Sequence, residues 1–317
     1  MTGGQMDNVR LELFGSDPKI QKAISVSRNV AVTKAPVLIV GEAGTGKKCL
    51  GRFIHENSNR AQSPLKIIDC SEDAKTVENN ILGYRDEETQ RFHKGGLEEA
   101  NGGSIILANV DSLEEEFQKR LHKILQELED YDIDVRVIAT TTKNLSKLVG
   151  AGRFYRGLYT LISNNSINLT PLRERVQDLN LIAEHFVNQF SSEMNRPFSL
   201  SDSARNKILS HYWTYNVHEL KTVLESCLGS TSNDVITDED IQIGEKKSVG
   251  LLNDDDSEGI RLMSLKEAEK LLIKKALVHT SENRTQAAKI LGVSIRTLRN
   301  KINEYRSTGS SFFVNLR

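Results

Sequence analysis

The 317-residue chain predicts an α/β domain with a parallel sheet and helices on both faces, then an all-helical segment and a C-terminal helix-turn-helix. Three observations carry this reading. β-Branched runs alternate with segments of helical spacing through the first half. A nearly complete phosphate-binding loop sits between the first such run and the first amphipathic helix. Near the C-terminus, two apolar helical stripes are separated by a glycine.

Taken in order, residues 36–40 form an apolar, β-branched run that ends at Gly41-Glu42-Ala43-Gly44-Thr45-Gly46-Lys47-Lys48. Residues 49–55 then suit a helix starting beneath bound phosphates. Further strands are predicted at 65–69, 104–107, 135–140 and 166–169, with a helix within 115–129. These place the α/β domain at residues 7–171. From 172 to 244 the β-branched runs vanish and an all-α lid is expected, with Trp213 and Tyr212 filling its core. Residues 245–262 are polar and charged, as in a linker. A compact helical domain spans 263–306 and a tail 307–317. Residues 1–6 resemble part of an expression tag, which implies that a natural N-terminal domain has been removed.

Hydrophobic residues make up 38% of the chain, enough for packed cores. No apolar run is long enough for a membrane span and no signal-like start is present, so a cytoplasmic protein without membrane contact is expected. Three cysteines and seven scattered histidines show no metal-ligand spacing, so no metal is required and the thiols fit a reducing compartment. The net charge of -1 hides an asymmetry. Residues 261–317 hold 12 Lys+Arg against 4 Asp+Glu, and the rest of the chain holds 30 against 39. A basic C-terminal block implies a polyanionic partner.

In that block, Leu265, Glu269, Leu272, Ile273, Ala276 and Leu277 form one stripe at helical spacing, and Ala287, Ala288, Ile290 and Leu291 form the next. Gly292 interrupts them, and Ser294 can cap a third helix. In a helix-turn-helix the second helix of the motif lies in the major groove of double-stranded DNA. Arg296, Thr297, Arg299, Asn300 and Lys301 lie opposite Leu298 and Ile302, and with Arg284 and Ser294 they are the candidate DNA-contacting residues.

These motifs together resemble, over almost the whole chain, the bacterial enhancer-binding proteins, AAA+ activators of sigma-54 RNA polymerase with a Fis-type helix-turn-helix. Gly41 to Lys47 is similar to the family phosphate loop. Glu99-Ala100-Asn101-Gly102-Gly103 leads into the second nucleotide motif, Val135-Arg136-Val137-Ile138-Ala139-Thr140 resembles the sensor I strand, and Pro171-Leu172-Arg173-Glu174-Arg175 resembles the entry to the lid. Trp213, Asn216-Val217 and Glu219-Leu220 resemble the sensor II helix. Within the family the chain looks most like the divergent VpsR-type biofilm-polysaccharide regulators.

The departures from the family pattern are as informative as the matches. Ala108 and Asn109 stand where the family has the adjacent Asp and Glu for magnesium and water. Thr142 replaces the sensor I Asn or His, Tyr155 and Leu161 replace the arginine fingers, and His218 replaces the sensor II arginine. Loss of one such charge-stabilising group commonly costs several powers of ten in phosphoryl transfer. The resemblance therefore implies an AAA+ domain without ATPase activity. The family's sigma-54 contact motif is also missing from residues 83–101, which implies a partner RNA polymerase holoenzyme carrying the housekeeping sigma factor.

Lys47 and the loop glycines still suit an anion at a helix N-terminus. Lys48 adds charge where most phosphate-loop proteins place a magnesium-binding hydroxyl and where the resembled family often has an acid, and Arg52 lies one helical turn further on. The nucleotide set is therefore Gly41, Glu42, Ala43, Gly44, Thr45, Gly46, Lys47, Lys48 and Arg52. Some relatives bind cyclic di-GMP through an arginine at the position of Arg52, so that dinucleotide is the expected ligand, with ATP as the alternative. Leftover cations facing solvent are the plainer reading of the same residues. A slow ATPase using Asp111 or Arg156 as substitutes is the rival from another class, and an empty oligomerisation platform is a third. A single helix-turn-helix reads few bases, so a homodimer or higher homo-oligomer is expected on paired half-sites.

Overall fold

The computed structural model describes residues 15–86, 89–231, 233–243, 269, 272–273, 276–277, 280 and 284–307. The tag-like residues 1–6, the linker 245–262 and almost all of the tail 307–317 lie outside the described residues. The chain divides into two compact units, residues 1–245 and 246–317.

In the first unit, helix α1 (Pro18–Ala31) starts at Asp17, whose carboxylate accepts from the Lys19 amide at 2.8 Å, with proline in the first turn. Strand β1 (Val37–Val40) and helix α2 (Lys47–Glu56) flank the phosphate loop. Then come β2 (Leu65–Asp69), α3 (Ala74–Leu82), a hairpin of β3 (Gly83–Arg85) and β4 (Phe92–Lys94), the short α4 (Gly96–Glu99) and β5 (Ser104–Ala108). Helix α5 (Glu115–Gln126), β6 (Arg136–Thr141), α6 (Leu145–Gly150), α7 (Arg156–Ile162) and β7 (Asn165–Asn168) complete the domain.

The five main strands form one parallel sheet in the order β2-β5-β6-β1-β7. Because successive side chains point to opposite faces, β1, β5 and β6 each feed two cores. Val37, Ile39, Ile106, Ile138 and Ile167 pack with Ile20, Leu50 and Ile54 on one face. Leu38, Ile105, Leu107, Val137 and Ala139 pack with Ile81, Leu121 and Leu158 on the other. Arg136 is buried, and its guanidinium donates to the carbonyls of Ala31 at 2.7 Å and Val30 at 2.6 Å, capping α1.

The hairpin of β3 and β4 was not expected from the sequence. Its strands have only three residues each, too few for alternation to register, and the Tyr84 and His93 rings stack at 4.8 Å across it.

The lid holds α8 (Val176–Met194), α9 (Asp202–Ser210) and α10 (Asn216–Ser230). Its core includes Phe186, Phe190, Trp213, Leu220 and Leu224. A two-residue parallel pair, β8 (Ser199–Leu200) with β9 (Val235–Ile236), accompanies these helices. Trp213 is fully buried and donates its indole N–H to the Ile208 carbonyl at 2.8 Å, whereas Tyr212 is 55% exposed and lies 5.1 Å beneath the Arg173 guanidinium. Tyr212 is therefore not part of the lid core.

In the second unit, α11 (Arg284–Ile290) and α12 (Ile295–Ser307) are joined at Gly292, whose φ of 66° is the left-handed conformation favoured after a helix end. Leu298, Ile302 and Tyr305 pack with Ala287, Ala288, Ile273, Ala276 and Leu277.

Candidate functional site

The phosphate loop is held at the C-terminal end of β1. The Gly41 amide donates to the Thr141 carbonyl at 3.2 Å, and the Thr45 hydroxyl to the Glu42 carbonyl at 2.8 Å. Gly46 caps α2 at φ 97°, a left-handed conformation that only glycine adopts cheaply. Gly44 is required for a second reason. A Cβ there would lie 1.9 Å from the Tyr215 carbonyl oxygen, so the lid touches the loop directly.

Two side chains fasten that contact. Arg173 donates to both carboxylate oxygens of Glu42, at 2.5 and 2.6 Å. Buried Asn216 accepts from the Leu172 amide at 2.7 Å and donates to the Ala43 carbonyl at 2.8 Å. The Arg173 hydrogen bonds hold the Glu42 carboxyl below the usual carboxylate range, against the opposing effect of its partial burial.

Lys47 is only 8% exposed and donates to the carbonyls of Gly41 at 2.9 Å and Glu42 at 2.8 Å. Burial pushes its ammonium down to about 8, partly offset by the carboxylate of Asp111. The loop thus keeps its lysine at the helix N-terminus, where an anion gains from converging amides. Arg52 stands exposed on α2.

Lys48, expected to add its charge to the ligand, is held beside the loop by a carboxylate. Its ammonium meets Asp69 Oδ2 at 2.7 Å, while Asp69 Oδ1 accepts from the Asn109 side-chain amide at 2.8 Å and the Ser71 hydroxyl at 2.7 Å. Burial opposes ionisation of Asp69, but these donors overcome it and hold the carboxyl far below its usual range. Asp69 was missed from the sequence because it reaches the site through strand pairing, its Cα lying opposite Ala108.

Ala108 is buried at the end of β5, and Asn109 follows at φ 57°. Asp111 accepts from the Thr141 hydroxyl at 2.6 Å, and its side chain is 4% exposed. Tyr155 uses its amide to donate to Gln118 and stacks edge-on with His122 at 5.4 Å. Arg153 and Arg156 are exposed, as is His218, whose amide donates to the Gly44 carbonyl at 3.3 Å. A cleft of about 510 Å³ adjoins the loop, lined by Gly41, Glu42, Thr142, Asn144, Tyr159 and Asn168 among others, and not by Lys47, Lys48 or Arg52.

In the second unit, the Ser294 hydroxyl accepts from the Thr297 amide at 3.0 Å, the expected cap. Arg296, Thr297, Arg299 and Asn300 are exposed opposite buried Leu298 and Ile302, and Arg284 is half-buried. Lys301 differs from the expectation. Its ammonium is paired with the partly exposed Glu269 at 3.0 Å, and Glu269 also accepts from the Tyr305 hydroxyl at 2.9 Å.

Family comparisons fit this layout. A sigma-54 interaction domain profile matches residues 13–168, an AAA+ ATPase lid profile residues 173–248, and a Fis-family bacterial regulatory profile residues 264–305. Regulatory protein AtoC of Escherichia coli is 31% identical over 92% of this chain and 67% of its own length. Transcriptional regulatory protein FlbD of Caulobacter vibrioides is 28% identical over 92% and 70%. The solved structure of NtrX from Brucella abortus in complex with ATP superposes with a TM-score of 0.65 over 95% of this chain and 71% of that one, at 22% identity, a likeness of fold alone. The chain belongs to the family of bacterial transcriptional regulators that join a sigma-54-type AAA+ domain and lid to a Fis-type helix-turn-helix. The relatives are regulatory proteins by name, and the Fis-type helix-turn-helix supports a DNA-binding role in transcription regulation for this chain. Among the described residues no helix is long and apolar enough to cross a membrane, and no group of His, Cys, Asp and Glu is placed to hold a metal.

Proposed function

We propose that this chain is a sequence-specific transcription regulator whose AAA+ domain binds a nucleotide as a signal and does not hydrolyse it. One observation carries the reading. Every position at which the family places a charged or polar hydrolytic group holds a residue that cannot serve that role in the same way, from Ala108 and Asn109 to Tyr155, Leu161 and His218, while the phosphate loop and Lys47 are intact. Cyclic di-GMP is the preferred ligand, with Arg52 at the loop's mouth as its added cation. ATP is the alternative.

The 83–94 segment is a short hairpin without the sigma-54 contact motif, which favours activation at promoters of the housekeeping sigma factor, in the manner of biofilm and exopolysaccharide regulators. DNA half-sites would be read by a homodimer or higher oligomer.

A slow ATPase is a second reading, favoured by one observation: the Asp111 carboxylate lies close enough to Lys47 to raise its proton affinity. Calorimetric titration with cyclic di-GMP and with ATP separates the ligands. The expected result is cyclic di-GMP binding that is lost in Lys47→Ala and Arg52→Ala, with no phosphate release from ATP. ATP binding without cyclic di-GMP binding would overturn the second-messenger assignment, and steady phosphate release abolished by Asp111→Asn would establish the ATPase.

A further inference from the structure

AAA+ nucleotide sites ordinarily use magnesium, held near the phosphates by a loop hydroxyl and a carboxylate of the second nucleotide motif. The residues at this site do not fit that ion. The hydroxyl position is Lys48 and the carboxylate positions are Ala108 and Asn109. Three carboxylates stand nearby, and all are committed, the first being Glu42 of the loop itself, which accepts from Arg173 on both oxygens at 2.5 and 2.6 Å. Asp69 has Lys48 on one oxygen at 2.7 Å, and Asn109 and Ser71 on the other at 2.8 and 2.7 Å. Asp111 is nearly enclosed, with the Thr141 hydroxyl on Oδ1 at 2.6 Å and the Lys143 ammonium 3.8 Å from Oδ2. A hard dication with near-octahedral demand for oxygen finds neither a free carboxylate nor relief from the neighbouring ammonium groups.

The path of Lys48 suggests what replaces the ion. Its backbone begins α2 directly after the loop, and its ammonium ends at Asp69 on β2. Between β2 and β1, which carries the loop, run β5 and β6; the last residue of β5, Ala108, pairs with Asp69, and its successor Asn109 bonds to it. The lysine side chain therefore reaches toward the strand end where the metal acids would stand. Asn109, which lacks charge, is compatible with a fixed ammonium beside it, and the Asp69 carboxylate orients that ammonium without fully burying it, since the Lys48 side chain is 49% exposed.

We infer that Lys48, positioned by Asp69, is a tethered cation that stands in for magnesium, so that this loop binds nucleotides in a metal-independent manner. The inference rests on the reading that the loop binds a nucleotide, and it adds which cation accompanies it. An ammonium gives charge neutralisation to phosphate oxygens but no Lewis-acid activation. It therefore favours retention of the ligand over turnover.

The test is titration of the intact chain with ATP in millimolar magnesium and in EDTA, with thermal melting to confirm that each variant is folded. The affinity is expected to agree within about twofold between the two conditions, and Lys48→Ser is expected to weaken binding in EDTA by about tenfold. The double variant Lys48→Ser/Ala108→Asp, which supplies the hydroxyl and acid of a magnesium-using phosphate-loop site, is expected to bind ATP in magnesium and poorly in EDTA. Wild-type binding that is tenfold or more tighter in magnesium overturns the inference, as does Lys48→Ser binding unchanged in EDTA. Either of those results leaves nucleotide binding by the loop intact. Absence of ATP binding in both buffers overturns the inference too, and cyclic di-GMP titration then judges the loop's function separately.

Discussion

Glu42 and Arg173 join the phosphate loop to the lid through a pair of hydrogen bonds, one to each carboxylate oxygen, of 2.5 and 2.6 Å, across 131 positions of sequence. Both side chains are partly exposed, at 41% and 28%, so solvent screens the pair, but the bidentate geometry is the strongest available to such groups. A double-mutant cycle with Glu42→Gln and Arg173→Ala is expected to give a coupling of about 0.5–1 kcal/mol in denaturant unfolding. The Glu42 carboxyl is held below its ordinary value near 4.5, so the pair's contribution is complete above that pH and disappears as the pH falls through the lower folded value. Coupling measured at pH 7 should exceed that measured at pH 3. Equal couplings would show that the carboxylate's charge contributes nothing.

Asn216 makes the neighbouring contact without charge. It is fully buried, adopts φ 54°, and satisfies the Leu172 amide and the Ala43 carbonyl together. Asn216→Ala leaves both backbone groups unpaired and places a Cβ residue without a compensating side chain in a left-handed conformation. A loss of about 2–3 kcal/mol in unfolding free energy is expected. Asn216→Gly removes the conformational strain but not the unpaired groups, and should recover about 0.5–1 kcal/mol of that loss. Equal losses in the two variants would assign the whole effect to the hydrogen bonds.

These contacts mark the border of what the sequence makes legible. Strands β1, β5 and β6 are read easily because they are buried on both faces and so are written as apolar runs rich in β-branched residues. The loop and the Ser294 cap are read because their chemistry is local. Asp69 and Asn109 are 40 positions apart and meet only because β2 and β5 are adjacent, which no spacing rule reports. The loop-to-lid ion pair is hidden for the same reason. Tyr212 was placed in the core by its aromatic character, yet only Trp213 of that pair points inward. Lys301 has helical spacing toward the basic face, but its flexible end pairs with Glu269 from another helix.

Lys47 gives the site a pH signature. Its ammonium, pushed to about 8 by burial, must be protonated to attract an anion. Nucleotide affinity is therefore expected to fall as the pH rises beyond about 8, and Lys47→Arg, which stays charged, should flatten the profile. Between about 8 and 10.5 the unfolded chain holds more protons than the folded one, so the ligand-free protein's unfolding free energy should rise with pH across that window. Calorimetric affinities from pH 7 to 9.5 check the first expectation. An affinity constant over that range would mean that bound phosphate raises the lysine's proton affinity enough to keep it charged.

The second unit allows the contributions of α12 to DNA binding to be separated. Arg296 and Arg299 are exposed beside Thr297 and Asn300, whereas Lys301 is engaged with Glu269. A guanidinium that contacts only phosphate contributes equally to all sequences, and its removal should reduce the slope of log affinity against log salt by about one. A guanidinium that reads guanine should instead cost about 1–3 kcal/mol at one base position and relax specificity there. Arg296→Ala and Arg299→Ala, titrated on a selected duplex and on random duplex at several salt concentrations, distinguish the two roles. Ser294→Ala removes the cap and should destabilise this unit by about 1 kcal/mol, weakening both duplexes alike. Lys301→Ala should change affinity less than either arginine variant, because its ammonium is already paired within the domain. If Lys301→Ala costs as much as the arginine variants, the Glu269 contact is exchanged for phosphate on binding and α12 presents three cations to the duplex.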